Sequence, residues 1–131
     1  MSRMSFELDI YLSENPDGFT YDPVTDSLVT PESHPDFTGF AVGGAIRSLK
    51  LSNLTSPSNP LRISQWLGGF FHYQNDHSEV PLYIGGWQGE LDAVQIVSTH
   101  WHAMGLAQYF DQLAFGEFKN GAYVQDHGVT K

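Results

Sequence analysis

The chain contains no cysteine. Disulfides, thiolate metal sites and cysteine nucleophiles are therefore excluded, and the composition fits a reducing compartment. Positive charge is scarce as well. Six Lys and Arg stand against fifteen Asp and Glu, for a formal net charge of −9. Binding of DNA or RNA needs Lys and Arg against phosphates, so no direct nucleic-acid contact is expected. No apolar run approaches the ~20 residues of a membrane-spanning helix, so no membrane contact is expected. Met1-Ser2-Arg3-Met4-Ser5 leads straight into Phe6-Glu7-Leu8-Asp9, without the apolar core of a signal peptide. The expected location is the cytoplasm. The doublets Gly43-Gly44, Gly68-Gly69 and Gly85-Gly86 lack the spacing of phosphate-loop or dinucleotide fingerprints, and no cofactor is expected.

What is present is an aromatic-rich chain of one-domain size. Aromatics make up 14% of its 131 residues, which favours a packed core over disorder. Its charge is polarised. The first 36 residues hold eight acids and one base, Arg3. Residues 37–75 hold no acid, but contain Arg47, Lys50 and Arg62. Seven acids follow, against Lys119 and Lys131. Such a layout can steer a basic partner by long-range field while saying nothing of the fold.

Apolar alternation through Phe6, Leu8, Ile10 and Leu12 predicts an N-terminal strand. Phe19-Thr20-Tyr21 and Ser27-Leu28-Val29 predict a hairpin, giving a strand-and-hairpin unit over residues 4–30. Residues 30–37 read as an exposed loop. Residues 39–51 read as a strand with a bulge near the glycine pair. Residues 52–60 carry loop chemistry. Ile63, Trp66, Leu67, Phe70 and Phe71 recur at helical spacing. Residues 81–125 read as hairpin, helix, hairpin. Ser98 or Thr99 caps that helix, and Ala103, Leu106, Ala107 and Phe110 form its apolar stripe. The expected fold is one α+β domain over residues 1–131: a mostly antiparallel sheet with two short helices packed on one face.

Tyr83, Gly85 and Trp87 form a Tyr-x-Gly-x-Trp strand; Gln112, Ala114 and Phe115 follow a helix as Gln-x-Ala-aromatic. Across residues 83–115 this resembles small uncharacterised accessory proteins of actinobacteria and their phages. The helix opening, Thr99-His100-Trp101-His102, departs from the more acidic opening of that pattern. The resemblance implies an accessory protein of phage or mobile-element type, working in the host cytoplasm, and no particular chemistry.

Three functions from different classes follow as expectations. The first is a non-enzymatic acidic module that binds a host protein or complex with a basic surface. Its contact residues would be Glu7, Asp9, Glu14, Asp17, Asp22 and Asp26, with Tyr73, Tyr83 and Trp101 if these are exposed together. With a phage origin, it would inhibit a nucleic-acid-handling or defence complex by steric or electrostatic occlusion. The second is a metal-dependent hydrolase using His100 and His102. On a strand their rings would share a face; on a helix they lie about 200° apart. Asp92, His72, His77 and Asp111 are the available third ligands by type. The third is a virion or assembly component, self-associating through exposed aromatics; a homodimer is compatible with either non-enzymatic reading. A Ser98–His100–Asp92 triad has no supporting nucleophile elbow.

Overall fold

Burial alternates residue by residue from Glu90 to Ile96 in the central strand, and the fold is organised around it. The computed structural model describes residues 2–130. Its elements in chain order are α1 (Arg3–Glu14), β1 (Phe19–Asp22), β2 (Ser27–Leu28), β3 (Gly39–Gly43) and β4 (Leu49–Lys50). Then come α2 (Asn59–Asp76), β5 (Leu82–Trp87), β6 (Glu90–Val97), α3 (His100–Tyr109), β7 (Ala114–Lys119) and β8 (Ala122–Gly128). The strands make one sheet in the order β2-β1-β5-β6-β3-β7-β8, with β4 also paired to β6. Every pairing is antiparallel. The fold is α+β in a single domain, as expected, but with three helices rather than two.

The N-terminal strand expected through residues 6–12 is a helix. Ser5, Leu8 and Leu12 are buried, while Phe6 and Ile10 are exposed. Leu8 and Leu12 are four apart, so the period-2 pattern concealed a helical repeat. α2 is also longer than its apolar stripe suggested. It starts at Asn59-Pro60, inside the expected loop, where Pro fits the first helical turn. Gly68 and Gly69 lie on its exposed side.

The register assigns the sheet's two faces. Tyr21 opposes Ile84, which opposes Ala93; Leu82 opposes Gln95, which opposes Val42. Directly opposed residues share a face, so this set and its period-2 neighbours Leu91 and Phe115 line one side. All are buried. Leu8, Leu12, Ile63, Leu67 and Phe70 of α1 and α2 join the larger core cluster there. Ala103 and Ala107 of α3 pack with Val42 and Phe115 in a smaller one. Thr99 caps α3 by accepting the His102 backbone N–H at 3.1 Å.

Residues 30–37 are the expected loop, exposed at residues 31–33, 35 and 36, but its last residue turns inward. Phe37 is buried, packing edge-on against Tyr83 and Phe118 at 4.9 and 5.1 Å between ring centroids. This strap is tied in its middle and at its end. The half-buried His34 bonds Asp22 through Nε2 at 2.9 Å, and Gly121 N–H donates to the Phe37 carbonyl at 2.9 Å. Burial opposes ionisation of Asp22, but hydrogen bonds from His34 and the Val24 N–H outweigh it and hold the carboxyl below its usual range. The β7–β8 turn at Asn120-Gly121 has positive φ at both residues (51° and 84°), the two-residue hairpin geometry that suits a twisted sheet. β8 continues to Gly128, past the expected end at Val124, across a bulge opposite Glu117 and Phe118.

Phe70 is fully buried, whereas its neighbour Phe71 is 39% exposed. Phe70→Ala is expected to cost about 3–5 kcal/mol of unfolding free energy, because it leaves a cavity between helices and sheet. Phe71→Ala is expected to cost about 1 kcal/mol or less. Urea denaturation of the two variants measures both.

Candidate functional site

The bulge expected near Gly43-Gly44 is a five-residue excursion. Gly43 pairs with Val94 and Leu49 with Leu91, so residues 44–48 leave the ladder and return to the same edge of β6. The Trp66 indole N–H donates to the Arg47 carbonyl at 2.8 Å and pins the excursion to α2. The gap in the ladder faces Asp92, which the pleat of β6 turns away from the core.

Glycine makes room for this carboxylate. A Cβ at Gly43 would overlap Asp92 Oδ2. Gly44, at φ +96°, directs its backbone N–H to Asp92 Oδ1 at 3.2 Å, and a Cβ there would come within 2.6 Å of Gln112 Nε2. Gln112 arrives from the end of α3. Asp111 takes a left-handed conformation (φ 56°), and the Gln112 N–H turns back to the Ala107 carbonyl at 2.8 Å. Asp92 thus sits between two adjoining hollows. One, about 360 Å³, lies under residues 44–48 with Arg47 in its wall. The other, about 310 Å³, is floored by Gly43, Gly85 and Gly116 and walled by Trp87, Glu90, Gln112 and Asp126. That second hollow has three carboxylates in its lining and no Lys or Arg.

Burial pushes the Asp92 carboxyl up to about 6, against the pull of the Gly44 and Ala93 N–H groups; the Glu90 carboxylate pushes it further in the same direction. A desolvated acid in a hollow is a recurrent mark of a functional site.

The residues expected to make an acidic face fare differently. Arg3 pairs with Glu7 at 2.9 Å and with Asp26, which also accepts the Tyr21 hydroxyl. Asp22 is held by His34. Asp9 Oδ1 is buried without a hydrogen-bond partner. Glu14 and Asp17 stand exposed at the end of α1 and in the following turn. Half of the six are therefore engaged within the N-terminal region. Nor do Tyr73, Tyr83 and Trp101 make one surface. Tyr73 is half-buried and stacked on His77 at 4.0 Å, Tyr83 lies under Phe37, and Trp101 is 87% exposed on α3.

His100 and His102 lie on the first turn of a helix, not on a strand, so their rings diverge. His100 instead lies 5.0 Å from the ring of His127, whose Nε2 bonds Glu117 Oε1 at 2.7 Å. Among the described residues no group of three or more His, Asp or Glu is placed to hold a metal ion. Sequence reasoning gave Asp92 only as a metal-ligand or triad member, and it missed Gln112, Trp87, Glu90 and Asp126 as a set. The available signal was an Asp between apolar residues in a central strand, together with a glycine doublet that no turn explained.

No protein-family model, characterised protein or solved structure matches this chain.

Asp92 carries a measurable pH signature. Its folded pKa is raised, so the native state binds more protons than the unfolded state between about pH 4 and pH 6, and stability falls as pH rises through that window. Asp92→Asn removes the ionisation and is expected to gain on the order of 2 kcal/mol at neutral pH, flattening that part of the stability–pH profile. Denaturant titrations at pH values on either side of the window measure it.

Proposed function

We propose that the protein is a non-enzymatic binding module that takes an extended basic segment of another protein along the Asp92 groove. We infer further that all three helices cover one face of the sheet and leave the glycine-floored part of the other open to the partner. The observation that carries this reading is the second hollow's lining, which includes Glu90, Asp92 and Asp126 but no Lys or Arg, although Lys50 stands opposite Glu90 in the ladder, with the indole of Trp87 at the rim, 57% exposed. A Lys or Arg side chain supplies the missing counter-charge and can lie against the aromatic face. The net charge of −9 adds attraction at long range.

The narrower expectation, a phage-type inhibitor of a host nucleic-acid-handling or defence complex, rests on the acidity and on the resemblance of residues 83–115. It adds one requirement: the basic segment belongs to a surface that otherwise holds nucleic acid. Occlusion of that surface is then the mechanism. The contact residues move from the N-terminal acids to the groove, because Glu7, Asp22 and Asp26 already have partners.

Fluorescence anisotropy with labelled Lys- and Arg-rich peptides, and a Glu-rich control, tests the reading. Basic peptides are expected to bind, with affinity rising as pH passes about 6 and Asp92 ionises, and falling with added salt. Asp92→Asn and Trp87→Ala are each expected to weaken binding about tenfold. Absence of binding, or binding indifferent to Asp92→Asn, refutes it.

A further inference from the structure

The outer face of α3 is distinct from the groove and carries a separate inference. Trp101 is 87% exposed and Tyr109 82%; Leu113, just beyond the helix, is 77% exposed. Between the two aromatics sits Gly105, where an added Cβ would meet nothing within 4 Å. Residues 101, 105 and 109 form a single i, i+4, i+8 row. The opposite side of the helix, Ala103 and Ala107, is fully buried. Apolar side chains thus occupy both sides of α3. His102 and Gln108 flank the exposed row, so the uncovered apolar surface is the narrow stripe of Trp101 and Tyr109 with Leu113 beyond it.

We propose that this row is a self-association surface, on which α3 packs antiparallel against α3 of a second copy across a two-fold axis at Gly105. Charge selects this occupant. Residues 93–110 contain no Asp, Glu, Lys or Arg. Two copies carrying −9 each repel over most of their surfaces; α3 itself carries no such charge, and the nearest, the exposed Asp111 between Tyr109 and Leu113, lies past the helix end and away from the two-fold axis. A basic protein partner would find no carboxylate on this helix, and an anionic lipid surface would find no Lys or Arg. Sequence spacing selects the geometry. Positions 101 and 109 lie equally far from 105, so the axis sets each Trp101 against the partner's Tyr109, in two identical contacts. Gly105 lets the backbones cross closely. Such an interface is isologous and closes at two copies. Four aromatic side chains with the flanking Leu113 pair reach about 1,000 Å², the lower end for specific association, so the dimer is weak and concentration-dependent, with Kd in the micromolar range.

Sedimentation of the full chain from a few to several hundred micromolar tests this. The expected mass rises from 14.6 kDa toward twice that value. Tyr109→Lys is expected to remain monomeric throughout while keeping its thermal midpoint, since Tyr109 is exposed. The lack of native cysteine allows a second test, of register. Gly105→Cys is expected to form a disulfide-linked dimer under mild oxidation at least about tenfold faster than Gln65→Cys, an exposed control on α2. A wild-type chain that stays monomeric, a dimer unaffected by Tyr109→Lys, or equal crosslinking of the two cysteine variants overturns the proposal.

Discussion

The structure depends on β6 being paired along both edges. β5 pairs one edge from Leu82 to Trp87, and β3 and β4 share the other. A strand held in this way has no freedom to slip, because a one-residue shift would turn Leu91, Ala93 and Gln95 out of the core and drive Glu90, Asp92 and Val94 into it. Alternation in one strand therefore sets both faces. The odd positions Leu91, Ala93 and Gln95 are buried, and the even positions include the carboxylate of Asp92, turned to the opposite side. Core and groove are two sides of one register.

Desolvation that its hydrogen bonds do not outweigh is what distinguishes Asp92 from Asp22. Asp22 is also largely buried, yet its carboxyl is held below the usual range, because His34 and the Val24 N–H satisfy it. Asp92 has backbone N–H groups but no cationic partner, and its carboxyl lies above the usual range. The two residues differ in purpose accordingly. The Asp22–His34 pair anchors the strap that carries Phe37, a structural task completed within the chain. Asp92 has no such partner among the described residues, and its burial is relieved by protonation instead.

The sequence was most legible where a single period and a local cap coincide. The β5–β6 hairpin, α3 behind Thr99 and the β7–β8 turn at Asn120-Gly121 all appear where alternation, capping and turn chemistry place them. It was least legible at α1. Phe6, Leu8, Ile10 and Leu12 satisfy period 2, and only tertiary burial of Ser5, Leu8 and Leu12 decides for the helix. Phe37 was hidden for a different reason. Its surroundings are rich in proline and polar residues, and its partners Tyr83 and Phe118 are remote in sequence. The groove was hidden for the same reason, since Gly43, Asp92 and Gln112 meet only once three separate elements have docked. Lone pairs such as His100 and His102 drew attention through nearness in sequence, whereas His100 in fact approaches His127.

The excursion at residues 44–48 also bears on how the molecule can change over time. Its two ends are fastened to β6 through Gly43–Val94 and Leu49–Leu91. Residues inserted or deleted between those anchor points would alter the rim around Asp92 and leave the strand alignment on either side as it is. The shape of this hollow and the integrity of the scaffold are thereby uncoupled, and a different segment here would reshape that surface without having to rebuild the body that carries it.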